Sequence, residues 1–251
     1  MRPSFPRGLR LVPALLATLL LAGCAGDLAE HVHIGTVYPD TVALMDAKDM
    51  DRGAPILIRI YKEDSALEVW KEDRSGRYRP LKTYGICRFS GGLGPKKAEG
   101  DHQAPEGFYS VSPNQMNPHS REYLSFNVGY PNAYDRSLGR TGDSLMVHGG
   151  CRSVGCYAVT NQQIEEIYGL AHESFAAGQT AIQLQAYPFR MTAANLERHR
   201  DDANAPFWAM LKAGSDTFAA TAQPPRVAVC DQRYVFGPAD GAGALCARAA
   251  S

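Results

Sequence analysis

The sequence predicts an α+β fold, mostly β with helices added, from three observations. Short runs rich in Val, Ile, Leu and aromatic residues, bounded by turn signals, recur between residues 56 and 148. A single longer segment, 160–178, carries apolar residues at helical spacing. Between the early and late runs lies a Gly/Pro-rich stretch, Ser90 to Pro105, with Gly91, Gly92, Gly94, Pro95 and Gly100, which reads as a surface connection.

In chain order, residues 24–53 read as an N-terminal linker with one short helical segment, VALMDAKDM, ending at Arg52-Gly53-Ala54-Pro55. Ile56 to Tyr61 has the β-branched content of a strand, and Leu67 to Trp70 reads as its partner across a Glu-Asp-Ser turn. Arg77 to Cys87, Tyr123 to Gly129 and Ser144 to His148 continue the β pattern. The turn-rich aromatic segment YPNAYDRSLGR between the last two is a candidate groove wall or lid, with Tyr130, Tyr134 and Arg136 as its candidate substrate contacts; its plainer reading is a surface loop. Thr160 with Gln163 three residues on forms a capping-box pattern. Ile164, Ile167, Tyr168, Ala171 and Phe175 then recur on one helical face, Glu165, Glu166 and His172 read as its solvated side, and Gly178 closes the helix. Ala181 to Tyr187 reads as a closing strand. Short helical patterns at 193–199 and 206–212, followed by an Ala/Gly-rich tail from Cys230, predict a C-terminal helical extension over 191–251.

The first residues stand apart from this fold. Arg2, Arg7 and Arg10 make a basic start, and LVPALLATLLLAG is an apolar run too short to span a bilayer with margin. It closes on Leu21-Ala22-Gly23-Cys24, which resembles a bacterial lipobox and implies a signal peptide at 1–23 with lipidation of Cys24. An ordinary secretory signal containing a Cys is the alternative. Several acyl chains, at ~0.8 kcal/mol per buried CH₂, anchor stably where one is marginal. With Ala25 after the Cys rather than Asp, the expected location is the outer membrane of a Gram-negative bacterium, facing the periplasm. Loss of residues 1–23 removes three Arg and no acid, leaving 23 basic and 26 acidic residues, a net charge of −3. That balance gives no sign of nucleic-acid binding, which usually shows a basic domain.

Ser144 to Thr160, SLMVHGGCRSVGCYAVT, is the most informative stretch. It sets His148 eight residues before Cys156 in a Gly-rich turn, with Ser153 and Gly155 just ahead of the Cys. A free thiol titrates near ~8.5, so a neighbouring imidazole is needed to take its proton at neutral pH. Attack on an amide carbonyl builds charge on oxygen, for which the N–H groups of Gly155 and Cys156 are natural donors, each worth roughly 3 kcal/mol of barrier. The bland alternative is a buried structural thiol beside a core histidine. His148-x2-Cys151 also has zinc-ligand spacing, but no second pair accompanies it, so neither metal nor other cofactor is expected.

With Cys24 set aside for lipid and Cys156 for catalysis, Cys87, Cys151, Cys230 and Cys246 remain, an even number that allows three connectivities. Cys230–Cys246, 16 residues apart, is the favoured bridge, worth about 3 kcal/mol by loop entropy, with Cys87–Cys151 as the second. A redox pair between Cys151 and Cys156 competes with it.

Around this stretch the sequence resembles the L,D-transpeptidase (YkuD-type) family, in its YafK-type branch of murein enzymes. The resemblance runs in collinear order through ILIRIYKEDSALEVW, LKTYGICRFSGGLGPKKAEGDHQAPEGFYSV, LSFNVGYPNAYDRSLGRTG, MVHGGCRSVGCYAVT, IEEIY and AYPFRMTAANL. It implies a two-sheet catalytic domain over 54–190. Cys156 matches the family nucleophile and His148 its base, with Ser153 and Gly155 in the SxGC motif. Pro105-Glu106-Gly107 matches a family turn beside the substrate groove, which makes Pro105 and Gly107 candidate binding residues. Val154 stands where the broad family has His, and Ala158 where it has Arg; the YafK-type branch shares both departures. The implied chemistry is thioester formation at meso-diaminopimelate of a peptidoglycan stem peptide, then transfer to an amine. The acceptor would be another stem or a murein-attached lipoprotein. A hydrolase of the same fold and an inactive peptidoglycan-binding lipoprotein are the alternatives.

Overall fold

The computed structural model describes Met1, residues 33–239, and Leu245 and Cys246. Residues 2–23 of the expected leader, and Cys24, lie outside the described residues. Two five-stranded sheets carry the fold. The first is built from β1 (Ile56–Tyr61), β2 (Ala66–Glu72), β3 (Tyr78–Gly85), β5 (Gly107–Val111) and β10 (Ile182–Tyr187), in the order β3-β2-β1-β10-β5. The second contains β4 (Arg88–Phe89), β6 (Met116–Asn117), β7 (Ser125–Asn127), β8 (Met146–His148) and β9 (Tyr157–Ala158), in the order β4-β9-β8-β7-β6. Helix α1 (Pro39–Ala47) precedes the sheets, and α3 (Asn161–Ala176) links them. This is the α+β, two-sheet architecture expected.

All six residues of β1 are buried because both faces of its sheet are covered. Ile56, Ile58 and Ile60 point into the main core with Leu67, Val69 and Leu184. Leu57 and Tyr61 face the opposite side, where α4 (Ala193–Arg198), α5 (Ala205–Thr221) and the hairpin β11 (Arg226–Cys230)–β12 (Arg233–Gly237) lie. Arg59 shares that outer face. Its guanidinium carbon lies 4.8 Å from the Phe218 ring and 5.5 Å from Trp70, and it donates to Ser215 Oγ at 2.9 Å. Residues 191–237 thus form the outer layer of the first sheet. Helix α5 runs well past the expected 206–212. Small residues along it permit close approach: a Cβ at Gly214 would strike the Phe108 and Phe236 rings. The expected Ala/Gly-rich tail from Cys230 is partly hairpin, bridged by Cys230–Cys246.

Helix α3 has the capping box its sequence predicts, with Thr160 and Gln163 exchanging side chain-to-backbone bonds at 3.2 and 2.9 Å. Its core face is wider than the apolar spacing suggests. Glu165 and Glu166, expected in solvent, are buried. Glu165 accepts from Tyr123 OH at 2.6 Å and pairs with His33, while Glu166 accepts from Lys82 and Tyr84 at 2.7 and 3.0 Å. The segment before α1 crosses this helix and covers those carboxylates, Thr36 N–H bonding to Glu165 O at 3.1 Å.

Between β4 and β5 the Gly/Pro-rich loop has no ladder of its own, so its backbone needs partners from elsewhere. Lys62, just past β1 and fully buried, supplies them. Its ammonium donates to the carbonyls of Gly94 and Ala104 at 2.8 and 2.6 Å and pairs with Glu106 at 3.0 Å. Glu106, also fully buried, accepts from Gly94 N–H at 2.7 Å and from Trp208 Nε1–H of α5 at 2.9 Å. Removing one member of such a pair strands the other charge in a dry interior. Lys62→Met is therefore expected to lower unfolding free energy by about 3–5 kcal/mol in chemical denaturation. A loss below about 1 kcal/mol would mean that other contacts hold the loop.

Candidate active site

The site begins with register. β8 and β9 run parallel, with Val147 opposite Tyr157 and His148 opposite Ala158. Cys156, the residue before β9, therefore sits beside Met146, whose N–H lies 3.3 Å from the thiol sulfur. His148 and Cys156 line one cleft of about 440 Å³ together with Ser125, Arg121, Glu122 and Arg152.

The eight-residue connection between base and thiol is held at several points. Cys151 has φ +51° and is bonded to Cys87, next to β4, which itself pairs with β9. With Cys87–Cys151 and Cys230–Cys246 formed, Cys156 is the free thiol among the described cysteines, and the competing Cys151–Cys156 pair is absent. Gly150 N–H donates to Asn161 Oδ1 at 2.9 Å. Ser153 folds the last turn onto itself: its hydroxyl donates to Cys156 O at 2.7 Å and accepts Cys156 N–H at 3.0 Å. Since that hydroxyl has given its proton to Cys156 O, Ser90 Oγ, 2.9 Å away, must be donor to it. Gly155 takes φ +91°, a backbone that suits glycine.

This arrangement sorts the two expected oxyanion donors. Cys156 N–H is already satisfied by Ser153. Gly155 N–H has no partner among the described residues and is the one left to meet a developing negative charge.

Electrostatics fixes the resting protonation. His148 is buried, with Nδ1 2.6 Å from Gly149 O. A carbonyl only accepts, so Nδ1 carries the proton and Nε2 is the basic nitrogen. Burial pushes the Cys156 thiol above its ordinary value, partly countered by Met146 N–H and by the Lys96 ammonium. Burial thus disfavours the thiolate, and a histidine lines the same cleft.

The other predicted contacts lie elsewhere. Tyr130 is buried, with its hydroxyl on Thr141 O, and Tyr134 stacks on Tyr234 and Phe207. Arg136 lines a different cleft, between β5 and the β11–β12 hairpin. The carbonyl of Pro105 accepts from Tyr157 OH at 2.5 Å, and Gly107 begins β5. None of these five lines the cleft of His148 and Cys156. Packing consumes the segment once read as a lid: it holds α2 (Ala133–Ser137), whose Asp135 is buried against Arg140 at 2.8 Å. Ser90, Lys96, Arg121 and Arg152 were not singled out from sequence. Ser90 and Lys96 fall inside the FSGGLGPKK motif, whereas nothing local marks Arg121. Among the described residues no group of three or more His, Cys, Asp or Glu is placed to hold a metal ion.

The chain is similar to known proteins. The family model of the L,D-transpeptidase catalytic domain (YkuD) matches residues 55–180. The Escherichia coli (strain K12) protein named Putative L,D-transpeptidase YafK is 43% identical over 222 residues, 88% of this chain and 89% of that protein, and its O157:H7 counterpart matches equally. A crystal structure of the helical cell shape determining protein Pgp2 from Campylobacter jejuni is 18% identical, with a TM-score of 0.43, over 75% of this chain and 79% of that one.

Because its pKa is raised, Cys156 is expected to react with iodoacetamide more slowly at pH 7 than free cysteine does, with a rate that climbs as pH increases. Rapid alkylation already at pH 6 would instead reveal a preformed thiolate.

Proposed function

This chain belongs to the L,D-transpeptidase catalytic domain family, and on that premise we propose that it performs cysteine-dependent acyl transfer on peptidoglycan stem peptides. The observation that carries the proposal is the convergence of the free thiol and a base of defined tautomer in one cleft. His148 Nε2 takes the proton of Cys156 as sulfur attacks the meso-diaminopimelate carbonyl. Gly155 N–H steadies the tetrahedral oxyanion, and Gly149 O steadies the imidazolium. Collapse expels the D-alanine amine, which leaves with the proton from His148, and a thioester remains on Cys156. An incoming amine, from another stem or a murein-attached lipoprotein, loses its proton to His148 as it displaces the sulfur, and the imidazolium returns that proton to the departing sulfur. Water in place of the amine gives hydrolysis. Ser153 supports the sequence by fixing the turn that carries the nucleophile. The leader ending at Cys24 supports a lipid-anchored periplasmic location, on the outer membrane.

Incubation of the purified protein with disaccharide-tetrapeptide, followed by mass spectrometry, tests this. Cross-linked dimer is expected; tripeptide alone would make the chain a hydrolase, and unchanged substrate a binding protein. Cys156→Ala is expected to abolish turnover, and His148→Ala to slow it by on the order of 10²–10⁴-fold. Full turnover in Cys156→Ala would refute the nucleophile.

A further inference from the structure

Arg52, Arg74, Arg79, Arg140, Arg190, Arg198 and Arg200 each contact a carboxylate, whereas Arg59 meets Ser215 Oγ and aromatic rings instead. Arg121 and Arg152 have no carboxylate partner among the described residues, yet both line the cleft of His148 and Cys156. Each extends from a fastened loop. Arg121 lies in the β6–β7 connection, where Asn117 Oδ1 accepts from His119 N–H at 3.0 Å, Ser120 Oγ from Glu122 N–H at 3.2 Å, and Tyr123 is tied to Glu165. Arg152 follows the bridged Cys151. The cleft also has one carboxylate, Glu122, which lies over Gly150 in the space a side chain there would fill. Ala158, where the broad family has Arg, is fully buried in β9, so no cation reaches the cleft from that position.

Two guanidiniums and one carboxylate beside the nucleophile complement a zwitterionic amino-acid end. We propose that Arg121 and Arg152 bind the side-chain carboxylate of the diaminopimelate residue whose carbonyl is attacked, while Glu122 binds its side-chain ammonium. This rests on the reading of the cleft as a stem-peptide site. A planar guanidinium fork meets a carboxylate with two parallel hydrogen bonds, which fixes orientation as well as charge. Lysine is diaminopimelate without that carboxylate, so the assignment makes the cleft selective between the two stem types.

The experiment compares kcat and KM for disaccharide-tetrapeptides containing meso-diaminopimelate or L-lysine. The native protein is expected to favour diaminopimelate by about tenfold or more in kcat/KM, the effect of one charged hydrogen bond. In the Arg121→Ala, Arg152→Ala double variant the preference is expected to fall to about twofold or less, through a higher KM for the diaminopimelate substrate with little change in kcat. Lysine at both positions is expected to restore part of it. Both side chains are exposed, so their removal does not threaten the fold. An active native protein without the preference, a double variant that keeps it, or an equal loss on both substrates overturns the assignment and leaves the proposed activity intact. No turnover of either substrate by the native protein overturns that activity, and this assignment with it.

Discussion

The buried Lys62–Glu106 pair is the constraint around which the rest of the molecule is arranged. It lies at the end of β1, the central strand of the first sheet, and fastens there the glycine-rich loop between β4 and β5. Through Trp208, Glu106 also ties in α5, and through the neighbouring Pro105 carbonyl the same turn reaches Tyr157, the residue after the free thiol of Cys156. A buried ion pair is a poor source of net stability compared with a well-packed apolar substitute. Its value here is geometric. Four acceptors converge on one ammonium, and only one path of the loop satisfies them all.

Within that frame the site follows from strand register rather than from long-range folding of a flexible arm. Parallel pairing of β8 and β9 puts thiol and imidazole on adjacent strands. The connection between them is closed by a disulfide at Cys151 and by the self-bonded turn at Ser153. Such preorganisation matters because charge stabilisation in a transition state is largest where donors are already in place.

Much of this was legible in the sequence, for physical reasons specific to each part. β1, β2 and β10 announce themselves by β-branched and aromatic content between turn signals, and α3 by apolar residues at helical spacing behind a capping box. The thiol and the imidazole are carried by the motif around them; the even count of remaining cysteines allowed three pairings, of which the structure forms Cys230–Cys246 and Cys87–Cys151. β5 was missed because GFYSV is short and follows a turn signal, and β11–β12 because RVAVC lies among small residues and prolines. α5 was read too short because Gly214, Ser215 and Thr217 have weak helix propensity, which packing against aromatic rings overrides. Glu165 and Glu166 looked solvated because a local pattern has no knowledge of a distant segment crossing the helix. Which of the two amides is left without a partner depended on a side chain, Ser153, competing for the other, and no pattern of letters encodes that competition.

The Cys87–Cys151 bridge carries a consequence for how the chain acquires its active form. In an unfolded chain, Cys151 lies five residues from Cys156 and 64 from Cys87. Loop-closure entropy then favours pairing with Cys156 over Cys87 by about 2 kcal/mol. Pairing of β4 with β9 offsets that bias by carrying Cys87 alongside Cys151, so the strand pair selects the bridge that leaves Cys156 free.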